Sequence, residues 1–132
     1  MQEFSGRTAV ITGGASGIGL GMARSFAKRG MQLVLADLNE ELLQAAEQEF
    51  SAAGVDVVSQ ICDASKLDQV ERLAETALDR FGGVHVVCSN AGVGIPTSAR
   101  NVKLSDWEWI INVDLWGPVS YTHLTLPTTV IV

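Results

Sequence analysis

The residues with the clearest chemical potential lie in the glycine-rich segment Thr12-Gly13-Gly14-Ala15-Ser16-Gly17-Ile18-Gly19. An apolar run from Thr8 to Ile11 precedes this segment, and a helical pattern follows it. Glycines at positions 13, 17 and 19 allow a tight backbone turn and a close approach to a bulky ligand. The free amides at the start of the following helix, at the positive end of its dipole, favour an anion. We therefore expect a phosphate-binding loop formed by Thr12, Gly13, Ser16, Gly17, Ile18 and Gly19.

Asp37 is the acid that gives this loop a more specific meaning. It ends an apolar run over residues 32–37 and follows Gly19 by 18 residues, close to the spacing of about 20 in dinucleotide-binding folds. A strand, a glycine loop, a helix and an acid at the end of the next strand predict a dinucleotide site. The Asp37 carboxylate would accept hydrogen bonds from both ribose hydroxyls of the adenosine half and would repel a 2′-phosphate. Because no Arg or Lys adjoins Asp37, NAD is favoured over NADP. The other interpretation of Asp37, a helix cap, is already supplied by Asn39.

Strand and helix patterns alternate along the chain. Short apolar runs predict strands at 7–12, 32–37, 55–62 and 84–89, suited to burial in a parallel sheet. Helices are predicted over 17–29, from a cap at Asn39 to Gly54, from a cap at Ser65 to Gly82, and from a cap at Ser105 to about Trp116. The residues expected on the buried face are Ile18, Met22 and Phe26 in the first helix, Leu42, Ala46, Phe50 and Ala53 in the second, and Val70, Leu73, Ala77 and Phe81 in the third. This alternation predicts an α/β fold with helices on both faces of a parallel sheet.

Composition narrows the function classes. A chain of 132 residues is enough for one small domain. A net charge of −6 and a pI near 4.7 disfavour nucleic acid as a partner. No segment is long and apolar enough to span a membrane, and no signal peptide is visible, so a cytoplasmic protein is expected. Cys62 and Cys88 lack metal-ligand spacing and lie in apolar runs, which predicts buried free thiols and no metal site.

Three motifs, in order along the chain, resemble those of the short-chain dehydrogenase/reductase family. They are the Thr12-led glycine segment, Asn90-Ala91-Gly92 and Asn112-Val113-Asp114-Leu115-Trp116-Gly117. The resemblance covers residues 5 to about 118. It implies a Rossmann-type doubly wound parallel sheet in three layers, α/β/α, here truncated to about four strands in the order 3-2-1-4.

The resemblance also assigns roles to individual residues. It places Asp63, with Ala64 beside it, at the adenine amino group, although a plain turn aspartate is the alternative. It places Asn90, Ala91 and Gly92 against the cofactor ribose, with Asn90 also a structural bridge. The remaining cofactor-binding residues that we expect are Leu38, next to Asp37, and Val113, near the nicotinamide ribose.

Asn112 is the only catalytic residue that the resemblance supplies. The main chain of its counterpart in the family holds a water in the proton relay. We expect its amide to be buried, because Ile110, Ile111 and Val113 surround it, the alternative being an amide that faces solvent. His85 is expected to be structural rather than catalytic.

The family's catalytic Ser and Tyr-x-x-x-Lys have no counterpart in this sequence. The only tyrosine, Tyr121, is followed by Thr122, His123, Leu124 and Thr125, and the last lysine is Lys103. The string from Val119 to Thr129 resembles the translation of an adapter used in sequencing libraries. We therefore expect an incomplete NAD(P)-binding Rossmann domain at 1–118 and a non-native tail at 119–132, with a genuine short C-terminal strand as the alternative.

The resemblance implies an NAD(P)-dependent oxidoreductase that transfers hydride between nicotinamide and a secondary alcohol or ketone. The alternative is a non-catalytic dinucleotide-binding fragment; a methyltransferase is disfavoured by the Thr12-led spacing. The full-length protein is expected to be a homodimer or homotetramer. In the chain as written we expect no turnover and poor solubility, with a partly uncovered patch formed by Trp107, Trp109, Ile110, Leu115 and Trp116.

Overall fold

A parallel β-sheet forms the centre of the molecule. The structure, a computed structural model, describes residues 3–124 and 130–131. Its strands are β1 (Thr8–Thr12), β2 (Gln32–Asp37), β3 (Val57–Ile61), β4 (Val86–Cys88) and β5 (Val130–Ile131). They lie in the order β3-β2-β1-β4-β5, and every neighbouring pair is parallel. The predicted order 3-2-1-4 is therefore confirmed.

Helices cover both faces of this sheet. They are α1 (Gly17–Ala27), α2 (Glu40–Ala52), α3 (Leu67–Phe81), α4 (Leu104–Ile111), a π-helical turn (Asn112–Trp116) and α5 (Gly117–Leu124). Alternate strand residues point to opposite faces, so Ile11 and Leu35 pack with α1 and α2 while Val10 and Val34 pack with α3 and Tyr121 of α5. The result is the predicted three-layer Rossmann-type arrangement.

The buried faces of two helices differ from the predicted ones. In α1 the buried residues are Gly19 and Ala23, and Ile18 is 78% exposed. In α2 the first buried leucine is Leu43, 2% exposed, and Leu42 is 43% exposed. Both Leu42 and Leu43 satisfy the helical period with Ala46 and Phe50. The packing of α2 against the sheet decides between them.

Two predicted helix caps are also wrong. The structure begins α3 at Leu67, after Lys66, because both the amide and the hydroxyl of Ser65 donate to Oδ1 of Asp63 instead. It begins α4 at Leu104, where the Asp106 carboxylate accepts from the Lys103 amide at 3.1 Å. The predicted cap at Asn39 is confirmed, since its side chain accepts from the Leu42 amide at 3.0 Å.

The end of the chain departs most from the sequence expectation. The helical pattern was expected to stop near Trp116, but it continues through the π-helical turn into α5, and β5 pairs with β4. Of the predicted non-native tail, residues 125–129 and 132 lie outside the described residues, and its non-native origin stays a prediction. In the described part of the chain, no helix is long and apolar enough to cross a membrane.

The segment from α4 to the π-helical turn is largely uncovered, and α4 buries no residue. The large apolar side chains exposed there are Leu104, Trp107, Trp109, Ile111, Leu115 and Trp116. This confirms the expected patch except at Ile110, which is half-buried.

His85 has the structural role expected of it. Its Nδ1 accepts a hydrogen bond from the Thr8 amide at 3.0 Å, at the start of β1. Desolvation by burial, with a smaller effect of the Arg7 charge, lowers its pKa from the ordinary value. Both effects keep the imidazole neutral, the state in which Nδ1 can accept.

The packing of α2 generates a direct test. Leu43→Ala should lower the free energy of unfolding by about 2–5 kcal/mol, because it opens a cavity against the sheet. The matched variant Leu42→Ala removes the same atoms from an exposed position and should cost under about 1 kcal/mol. Urea denaturation of the two variants measures both values, and equal losses would contradict the described orientation of α2.

Candidate functional site

A cleft of about 360 Å³ opens at the carboxyl ends of the central strands. Its lining residues are Thr12, Gly13, Ser16, Gly17, Ile18, Asp37, Leu38, Cys62, Asp63, Ala64, Asn90, Ala91, Gly92, Val93 and Val113. All the predicted cofactor-binding residues except Gly19 are therefore brought to one place. Sequence reasoning missed Cys62 and Val93. Cys62 is next to the predicted residue Asp63, and Val93 is next to the predicted residue Gly92. Their position at or after the end of a predicted strand was the only sequence signal that could have identified them. The carboxyl edge of an open parallel sheet, where strand order reverses, is where such folds bind ligands.

Gly19 does not line the cleft, but it lies where α1 contacts the glycine turn that does. A Cβ built on Gly19 would lie 2.0 Å from the Gly13 carbonyl oxygen and 2.7 Å from Asn90 Nδ2. Only glycine lets α1 approach the turn after β1 this closely. Gly17, by contrast, has a φ of +53° and nothing within 4 Å of a built Cβ. The backbone at Gly17 therefore faces open space at the cleft.

The start of α1 offers donors to that space. Ser16 is the N-cap residue and has an extended backbone, but its side chain makes no capping hydrogen bond. The first amides of a helix have no partner within the helix. Together with the helix dipole, they make the start of α1 suitable for an anionic group.

Asp37 lies on the rim of the cleft at the end of β2. Its Oδ2 accepts from the Ala15 amide at 3.3 Å and its Oδ1 from the Asn39 amide at 3.2 Å. These contacts hold the carboxylate beside the glycine loop. Among the described residues that line the cleft, none is an Arg or a Lys, so no cationic side chain there offsets the negative charge of Asp37.

Asn90 and Thr12 join the ends of β4 and β1. Asn90 Nδ2 donates to the carbonyl oxygens of Thr12 and Gly13 at 3.1 and 3.3 Å. The Thr12 hydroxyl accepts from the amides of Asn90 and Ala91, both at 3.1 Å, and donates to the Cys88 carbonyl at 3.3 Å. The expected structural bridge at Asn90 is present.

Asp63 has the geometry of the alternative interpretation, a turn aspartate. It lines the cleft, and its Oδ1 accepts from the amide and hydroxyl of Ser65 at 2.9 and 2.7 Å. Its own amide donates to Gln69 Oε1 at 2.7 Å. The turn-aspartate geometry is thus observed, and contact with an adenine stays a prediction.

Asn112 is not where the sequence placed it. Its side chain is exposed and does not line the cleft, so the expected burial is wrong. The apolar neighbour Ile111 is itself 44% exposed, because α4 packs on none of the described elements closely enough to bury a residue. Val113, the next residue, is 4% exposed and does line the cleft.

Tyr121 lies under the floor of the cleft and is 4% exposed. Its hydroxyl is beside the Thr12 and Cys62 side chains, yet within the described chain it makes no hydrogen bond. Burial raises the pKa of this phenol far above its usual range. Burial also raises the pKa values of Cys62 and Cys88 to about 11 each, and both are free, as predicted. None of these groups ionises near neutral pH.

The sequence matches the family model described as short chain dehydrogenase over residues 7–130. Among curated proteins it is 40% identical over 123 residues to 1-deoxy-11-beta-hydroxypentalenate dehydrogenase of Streptomyces arenae, covering 92% of this chain and 44% of that protein. It is 36% identical over 111 residues to diacetyl reductase [(S)-acetoin forming] of Staphylococcus epidermidis, covering 84% and 43%. The chain therefore spans less than half the length of these relatives.

Solved structures of short-chain dehydrogenases and oxidoreductases are also similar to this chain. A short chain dehydrogenase/reductase from Burkholderia phymatum in complex with NAD superposes with a TM-score of 0.93 at 39% identity, covering 98% of this chain and 46% of that one. A metagenomic short-chain oxidoreductase in complex with NADP gives a TM-score of 0.86 at 34% identity, covering 94% and 57%.

The close contact between Gly19 and the Gly13 carbonyl predicts that adding one methyl group at position 19 destabilises the fold. Gly19→Ala places a Cβ against the rigid Gly13 carbonyl and should lower the free energy of unfolding by about 1–3 kcal/mol or more. Gly21→Ala, on the same helix with nothing within 4 Å of its built Cβ, should instead stabilise the protein by up to about 1 kcal/mol. Thermal or urea unfolding compares them. A Gly19→Ala variant as stable as the wild type would refute the described contact.

Proposed function

The chain belongs to the short chain dehydrogenase family, and we propose that its cleft binds a nicotinamide dinucleotide, NAD in preference to NADP. The curated relatives described above are a dehydrogenase and a reductase, and the family is one of oxidoreductases. We further propose that the whole protein transfers hydride between this cofactor and a secondary alcohol or ketone. One observation carries the proposal: a single cleft gathers the glycine loop, the start of α1 and the Asp37 carboxylate.

The residues present fit a dinucleotide that crosses the sheet edge. The open backbone at Gly17 and the amides at the start of α1 would hold the pyrophosphate. Asp37 and Leu38, at the end of β2, would contact the adenosine ribose, and Asp63 and Ala64 the adenine. The nicotinamide half would then lie toward Val113 and toward the residues that follow β4, namely Asn90, Ala91 and Gly92. When bound, the nicotinamide accepts or donates the hydride, and these residues bind and orient it.

Asp37 supports the preference for NAD. Its carboxylate is positioned on the rim by the Ala15 and Asn39 amides. A ribose with two free hydroxyls can donate to it, whereas a 2′-phosphate would bring a second negative charge to the same point. Solved relatives include one complex with NAD and one with NADP, so the proposed preference rests on the charge of Asp37 and not on family membership.

A second candidate, binding without catalysis by the 132-residue chain itself, is favoured by Tyr121. A tyrosine that acts as general acid and base near neutral pH needs a neighbouring cation to lower its pKa of about 10. Here the only tyrosine is buried beneath the cleft with its pKa raised. Asn112 is exposed outside the cleft, and its role in a proton relay stays a prediction. The small-molecule substrate, the homodimer or homotetramer and the cytoplasmic location also stay predictions.

The cofactor preference is testable with one substitution. The wild-type chain should bind NADH at least about tenfold more tightly than NADPH, and Asp37→Ser should reduce that ratio by about tenfold or more, equivalent to about 1.4 kcal/mol. Nucleotide fluorescence on titration with protein gives all four dissociation constants.

The control for this substitution is Asp79→Asn, which removes one negative charge from α3, away from the cleft. It should leave the ratio unchanged. An NADH-to-NADPH ratio that is the same in the wild type and in Asp37→Ser would contradict the assignment of Asp37.

Whether the 132-residue chain catalyses hydride transfer can be measured directly. The 132-residue chain, with NAD⁺ and a panel of secondary alcohols, should produce no NADH above the no-protein rate at 340 nm, because no ionisable phenol faces the cleft. Sustained turnover that survives Tyr121→Phe would contradict the account of the site, and turnover abolished by Tyr121→Phe would contradict the assigned burial of Tyr121.

A further inference from the structure

We propose that Asp114 is a positioning residue for the nicotinamide half of the dinucleotide site, an inference that rests on the proposed function. Asp114 does not itself line the cleft, and its side chain is exposed. Its Oδ1 accepts a hydrogen bond from the Val93 amide at 2.8 Å, joining residues 21 apart in sequence. A carboxylate acceptor makes this bond stronger than one between two neutral groups.

The loop that Asp114 holds is a wall of the cleft. Gly92 and Val93 both line it, in a stretch after β4 that has no helix or strand. A Cβ built on Gly92 would lie 3.6 Å from Asp114 Oδ1, so the carboxylate that binds the Val93 amide also lies beside Gly92. One side chain therefore holds Val93 by a hydrogen bond and lies next to the adjacent wall residue, Gly92.

The π-helical turn explains how Asp114 reaches this loop. Such a turn adds a residue relative to an α-helical turn and is frequent at functional sites. Here Val113 enters the cleft while Asp114 binds the loop. The same turn leads into Gly117, where a built Cβ would be 3.1 Å from the Ala64 carbonyl oxygen. The turn thus contacts the loop that follows β4, and the first residue of α5 lies beside the loop that follows β3.

The strand order places this contact away from the adenosine half. Asp37 ends β2, whereas Gly92 and Val93 follow β4, and β1 lies between these two strands. Loss of the Asp114 contact should therefore loosen the nicotinamide side and leave the adenosine side intact. This separation distinguishes positioning from general stability.

The experiment titrates the full 132-residue chain, carried as a fusion to a solubility partner, with two probes: NADH and AMP. Asp114→Ala should weaken NADH binding by about tenfold and leave AMP binding within about twofold. Asp114→Asn keeps an oxygen acceptor for the Val93 amide and should restore most of the NADH affinity. Glu108→Ala, which removes an exposed acid from α4, is the matched control and should change neither affinity.

Val93→Pro removes the donor instead of the acceptor, in a loop outside the hydrophobic core, and keeps the test valid should Asp114→Ala not fold. It should show the same selective loss of NADH affinity. Equal loss of NADH and AMP affinity, or no loss, in the folded variants would overturn the role of Asp114. A wild-type chain that binds neither probe would overturn the proposed function itself and this inference with it.

Discussion

The site depends on the close approach of α1 to the turn after β1. A helix that begins within contact distance of the Gly13 carbonyl has its first amides directed at the carboxyl edge of the sheet, and this is possible because position 19 has no side chain. Asn90 then bonds to the carbonyl oxygens of Thr12 and Gly13 and joins β4 to the same turn. Three elements therefore meet around one backbone turn, and the cleft is the space that they leave in front of it.

Local spacing made most of this predictable. The glycine loop, the acid at the end of β2 and the cap at Asn39 are set by residues close in sequence, and the structure places each as expected. The strand order followed from the resemblance to the family and from right-handed crossovers. Which face of a helix is buried was harder to predict. Leu42 and Leu43 fit the same helical period, and only the packing of α2 against the sheet decides which of them is buried.

Features that depend on distant partners were not predictable from local patterns. Asn112 was expected to be buried because its neighbours are apolar, but an apolar sequence is buried only where another element covers it, and α4 buries no residue. The bond from Val93 to Asp114 spans 21 residues and carries no periodic signal. Tyr121 lies beneath Thr12 because the helix continues to Leu124, beyond the point where the amphipathic pattern stops.

We propose that a dinucleotide crosses the carboxyl edge of the sheet, from Asp37 at the end of β2 to Gly92 after β4. The most direct measurement is a titration of ¹⁵N-labelled protein with NAD⁺, followed by amide chemical shifts. The account predicts shifts at Gly17, Leu38 and Val93, and none in the polar groove between β3 and α3 around Thr76 and Asp79. Shifts confined to that groove, or no shifts at saturating NAD⁺, would contradict it.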